Sequence, residues 1–83
     1  MNESELKQII IEELVRVAPG SDPGALDGDD DLREGLDIDS FDALNFFIAI
    51  SERLHVDIPE KDMGRLGTTN QITKYLLASK VKA

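Results

Sequence analysis

Leu6, Ile9, Ile10, Leu14 and Val17 recur at helical spacing and predict a first helix over residues 4–17, with Glu12, Glu13 and Arg16 turned outward. Either Asn2, with Glu5 three residues on as a capping box, or Ser4 starts this helix. Pro19-Gly20 ends it, because proline cannot continue the hydrogen-bond ladder and glycine suits the reversal. A second helix is predicted from Asp39-Ser40 to about Leu54, with Asp39 as N-cap and Asp42 where a carboxylate can answer it. Val56-Asp57-Ile58 alternates as a short extended piece before Pro59, and residues 60–64 allow one helical turn ended by Gly64. The last helix starts at Thr68 or Thr69: Thr68 and Gln71 fit a capping box, Ile72, Tyr75 and Leu76 form its inner face, and Lys80 and Lys82 suit its C-terminal end. Residues 18–39 hold no sustained period and are rich in Asp, Gly and Pro. A loop of roughly 20 residues is uncommon in a compact domain, so Leu26, Leu32, Leu36 and Ile38 are expected to pin it to the core. The pattern predicts an all-α fold: a small four-helix bundle, three longer helices and one short, with a long acidic loop between helices one and two. Residues 1–83 are expected to form a single domain.

The second helix carries two apolar stripes. Ala43, Phe46, Phe47, Ile50 and Leu54 share an arc of about 100° on the helical wheel and form a core face. Phe41, Leu44 and Ile48 follow the i, i+3, i+7 spacing on the far side. A helix in a small bundle rarely needs two such faces. Either both are buried, by the long loop or the short third helix, or the outer one is a docking surface.

Composition narrows the function classes. The 83 residues include no cysteine and one histidine, which excludes disulfides, thiolate metal sites, a cysteine nucleophile and a multi-histidine metal centre. No apolar run approaches the ~20 residues of a membrane span. The acidic start Met-Asn-Glu-Ser-Glu is unlike a signal peptide, so a cytoplasmic location is expected. Seventeen acidic against nine basic residues give −8, the wrong sign for nucleic acid or anionic lipid. The excess is concentrated: residues 22–39 hold eight acids against Arg33 alone, −7, while the remainder holds nine acids and eight bases, −1. Such a segment keeps a protein soluble, and it also sets up a field that draws a basic partner toward the helix that follows.

Ser40 opens the second helix. A serine there often serves only as a capping residue. Its hydroxyl is also a candidate for covalent modification, since a phosphate ester at this point would lie beside the free amides and positive dipole end of the first turn. A serine-hydrolase role fails, because His55 is the single histidine and, if the helix continues to it, lies about 22 Å along the axis. The spacing Asp27, Asp29, Asp31 begins like a calcium loop, but Leu32 stands where glycine is needed and Ile38 where a bidentate glutamate is needed. His55 reads as a partly exposed polar residue near a helix end. No acid–base pair, metal set or phosphate-cradling glycine loop is present, so no enzyme and no metal site are expected.

The segment Leu36-Asp37-Ile38-Asp39-Ser40-Phe41-Asp42 resembles the acyl carrier protein family. The likeness continues through Leu44-Asn45-Phe46-Phe47-Ile48-Ala49-Ile50-Ser51-Glu52-Arg53-Leu54, Val56-Asp57-Ile58-Pro59 and Thr68-Thr69, and covers essentially the whole chain. The Asp-Ser pair alone is a weak signal. Asp-Ser opening an apolar helix, followed by Val-x-Ile-Pro and Thr-Thr, is strong. The resemblance implies that Ser40 is esterified by 4′-phosphopantetheine, delivered from coenzyme A by a magnesium-dependent phosphopantetheinyl transferase, with Asp39 as the motif aspartate. It implies that acyl groups ride on the arm's thiol as thioesters, in agreement with a chain that has no thiol of its own. It also implies that the bundle interior can shelter an acyl chain. Helix two becomes the recognition helix, with Phe41, Asp42, Leu44, Asn45, Ile48 and Glu52 as docking residues for acyl-loading and acyl-using enzymes that present basic surfaces. A monomeric carrier in lipid or fatty-acid metabolism is expected.

Three departures qualify the likeness. Phe41 replaces the usual leucine after the serine. Asp37 replaces the common glycine, which is tolerable if the backbone there is left-handed, a conformation aspartate visits more readily than most residues. Asn45 and Ser51 stand where fatty-acid carriers are often acidic, which shifts attraction from the helix to the preceding loop and suggests a specialised carrier for one dedicated pathway. An aminoacyl or peptidyl carrier, or a helical interaction module without a prosthetic group, are the alternatives.

Overall fold

In the computed structural model, which describes residues 2–79, the first apolar run folds as α1, Glu3–Val17. Asn2 is its cap, its side-chain oxygen accepting the Glu5 amide at 2.8 Å. The helix closes where the Ala18 amide reaches the Leu14 carbonyl, and the chain turns through Gly20 at φ 87°. The central helix α3 spans Ser40–Leu54, a four-residue α4 spans Glu60–Met63, and α5 spans Thr69–Ala78. The capping box on α5 is present, Thr68 Oγ1 accepting from the Gln71 amide and the Gln71 side chain accepting from the Thr68 amide. Lys80 and Lys82 lie outside the described residues.

The all-α bundle is the fold observed, with more order in the 18–39 segment than its lack of period predicted. Pro23–Ala25 forms a 3₁₀ turn, and Leu32–Leu36 forms a further helix, α2, which brings the α-helices among the described residues to five. Both are too short to show a hydrophobic period. The segment is also tied down by polar contacts. The Asn70 amide donates to the Gly28 carbonyl at 3.0 Å, Asn70 Nδ2 donates to Asp29, and the Leu32 amide donates to the Gly67 carbonyl at 2.9 Å. A β-carbon on Gly28 would fall 2.5 Å from the Asn70 side-chain amide, which would have to swing aside and give up its bond to Asp29. Leu32 and Ile38 are buried and Leu26 and Leu36 pack against the core, as their spacing implied.

Packing of α1 on α3 and α5 encloses the core, with Leu6, Ile10, Leu14, Phe46, Ile50, Leu54, Ile72 and Leu76 almost wholly removed from solvent. The Phe46 and Phe47 rings meet edge to face with centroids 5.1 Å apart. Val56 and Ile58 are buried and Asp57 exposed, so the segment alternates as predicted, without pairing as a strand. Ala43, placed on the core face by spacing, is half-buried at its edge. Glu13 corrects the expected outward face of α1. It is 3% exposed, and its carboxylate accepts from Arg53 Nη1 at 2.8 Å, which offsets the cost of burying the charge.

Candidate functional site

The chain is held on a fixed path into the start of α3. Helix α2 is capped at its start by Asp31, whose Oδ1 accepts the Arg33 amide at 2.9 Å. It ends at Asp37, which adopts the left-handed conformation (φ 54°, ψ 46°) that its replacement of glycine required. The Arg33 carbonyl accepts the amides of both Asp37 and Ile38. Ile38 is sunk into the core, and Asp39 caps α3 by accepting the Asp42 amide at 2.8 Å. The Asp42 amide, not its carboxylate, makes the capping contact.

Ser40 is therefore the first helical residue of α3, and its side chain is exposed. The first intrahelical bond runs from the Ala43 amide to the Asp39 carbonyl, so the Ser40 and Phe41 amides lie ahead of the ladder at its positive end. Ser40 Oγ accepts a hydrogen bond from Arg33 Nη2 at 2.9 Å. Arg33 was not singled out for the site from the sequence. Its signal is its position as the lone base of the acidic segment, seven residues before Ser40.

Beside Ser40 a cleft of about 580 Å³ opens into the bundle, lined by Ser40 and Arg33 together with apolar groups that include Leu14, Leu44, Phe46 and Met63. The outer stripe divides. Phe41 is 69% and Ile48 43% exposed, while Leu44 is half-buried in the cleft wall. Neither the loop nor α4 seals this face. Asn45 and Glu52 are exposed beside it, and Asp42 is half-buried. Arg53 turns away toward α1, donating to Glu12 at 2.6 Å and holding that carboxyl below the usual range. His55 is exposed and left-handed at the C-terminal end of α3 (φ 53°). Among the described residues no group of three or more acidic or histidine side chains converges as a metal site, and no helix is long and apolar enough to cross a membrane.

An exposed hydroxyl, unpaired helix amides, a guanidinium on the hydroxyl oxygen and an apolar cleft alongside fit a phosphate-linked arm with a greasy cargo. Comparison with known proteins points the same way. A family model described as "Phosphopantetheine attachment site" matches residues 4–76. An acyl carrier protein of Bdellovibrio bacteriovorus is 29% identical over 72 residues, covering 87% of this chain and 86% of that protein. An acyl carrier protein of Wolinella succinogenes is 21% identical over 76 residues, covering 92% and 93% of the two chains. With the family match running from α1 through most of α5, the chain belongs to the phosphopantetheine attachment family, whose prosthetic group is carried covalently, and it is a relative of the acyl carrier proteins.

Proposed function

We propose that this protein is a freestanding acyl carrier that bears 4′-phosphopantetheine on Ser40 and presents acyl groups to enzymes of lipid or specialised acyl biosynthesis, catalysing no reaction itself. When bound, the group supplies the thiol for thioester formation that a chain without cysteine lacks. The observation that carries this reading is the exposed Ser40 hydroxyl at the start of a capped helix that the core holds firmly. Asp39 orders the first turn, so Oγ is presented at a fixed place to an incoming transferase. The uncovered Phe41 and Ile48 side chains, with Leu44 at the cleft edge and Asp42, Asn45 and Glu52 around them, form the docking face. The −7 of residues 22–39 steers basic partner surfaces toward it. The chain acts as one domain over residues 1–83, as a monomer in the cytoplasm. Incubation with coenzyme A, magnesium and a broad-specificity phosphopantetheinyl transferase tests the reading: intact mass should rise by a single phosphopantetheinyl group. A chain that gains none while a control carrier is fully modified contradicts it.

A further inference from the structure

We propose that Arg33 is a positioning residue that grips the phosphodiester once Ser40 is modified, fixing the root of the arm while its length stays free. This rests on Ser40 being the attachment residue. Arg33 stands among eight acidic residues in the 22–39 segment, yet among the described residues its guanidinium pairs with none of them. Its side-chain hydrogen bond goes instead to a neutral acceptor, Ser40 Oγ, at 2.9 Å. A guanidinium offers five donors in a planar fork suited to two oxygens of one anion, and a single hydroxyl engages little of that capacity. Esterification replaces the Oγ hydrogen with phosphorus, so an anionic phosphodiester is created on the atom Arg33 already contacts. The charge-assisted bond that results is stronger than the neutral one it replaces.

Two further features favour this role. The Arg33 backbone is bolted to the turn into α3 through the amides of Asp37 and Ile38 and through its own amide on Asp31, while Leu32 beside it is buried and tied to Gly67. The guanidinium thus reaches Ser40 from a fixed root, with less to order on binding. The surroundings otherwise oppose a new negative charge: Asp31 and Glu60 line the same cleft and Asp39 precedes the serine. Arg33 is the counter-charge at that point.

The test compares wild type, Arg33→Gln and Arg33→Lys, each before and after modification, by thermal midpoint and by ³¹P NMR of the phosphodiester. Comparing the change on modification cancels any effect of the substitution on the unmodified fold. Modification should lower the midpoint of Arg33→Gln by about 3 °C or more relative to its effect on wild type, and should move the ³¹P resonance. Arg33→Lys, which keeps the charge without the fork, should fall between. Equal midpoint changes and the same ³¹P shift in wild type and Arg33→Gln, with the group located on Ser40, would overturn the Arg33 proposal alone. Labelling that persists in Ser40→Ala would overturn both this proposal and the attachment assignment.

Discussion

Arg53 on α3 donates from Nη1 to the buried carboxylate of Glu13 on α1 at 2.8 Å, and from Nη2 to the exposed Glu12 at 2.6 Å. One guanidinium thereby joins the helix that presents Ser40 to the helix behind it. The two carboxylates are not equivalent, because Glu12 can return to water and Glu13 cannot without unpacking α1. Thermal melts should therefore rank the variants: Glu12→Ala should shift the midpoint slightly, and Arg53→Ala much more, since it leaves the buried Glu13 carboxylate with only the long 3.9 Å pair to the exposed Arg16. Equal effects of the two would mean that Arg16 or solvent satisfies Glu13 without Arg53.

Asp37 tests the backbone path into the site. With φ at 54°, Asp37→Gly should be neutral or stabilising by up to about 1 kcal/mol. Asp37→Val should cost about 1–3 kcal/mol, because a β-branched residue resists this conformation. Denaturant melts measure both. A valine variant as stable as wild type would show that the turn between α2 and α3 has slack.

The two stripes of α3 should separate by assay. Phe46→Ala should cost about 3–5 kcal/mol, a large share of the stability of so small a domain. Phe41→Ala and Ile48→Glu should stay within about 0.5 kcal/mol of wild type in denaturant melts while weakening association with an acyl-handling enzyme roughly tenfold. Leu44→Glu should do some of both, since this side chain is half-buried where Phe41 and Ile48 are exposed. Unfolding by Ile48→Glu, or full partner affinity in it, would contradict the assignment of this face.

Stability should fall at both ends of the pH scale for identifiable reasons. The Tyr75 hydroxyl donates to Asp62 at 2.8 Å, and with Arg65 it holds the Asp62 carboxyl below its ordinary range; Arg53 and Gln8 do the same for Glu12. Because both pKa values are lower folded than unfolded, their stabilisation is present above about pH 4 and is lost as pH falls through the depressed values. Burial, and then the hydrogen bond to Asp62, raises Tyr75. Its contribution is complete below about pH 10 and is lost as pH rises through the higher folded value. Melts across pH should show Tyr75→Phe weakening the acid-side loss and removing part of the alkaline one. Unchanged profiles would remove Tyr75 from the account.

Local signals made much of this legible in the sequence. The caps at Asn2, Asp39 and Thr68, the core face of α3 and its second stripe all follow from residues within a few positions of one another. Asp37 belonged with them, because a residue standing in for glycine already specified the backbone it needed. What stayed hidden depends on distant partners. Glu13 read as outward because Arg53 lies 40 residues on, and the order of the acidic segment depends on Asn70 and Gly67, which its own composition does not reveal. The Arg33–Ser40 contact crosses a non-periodic turn, where no regular spacing announces it.

The most direct measurement is localisation of the prosthetic group by fragmenting the modified chain in a mass spectrometer. The group should reside on Ser40 and nowhere else, and Ser40→Ala should fold with the wild-type midpoint yet take up no label. A folded wild-type chain that stays unmodified by a transferase active on a control carrier, or a label found on another residue, would contradict the central claim.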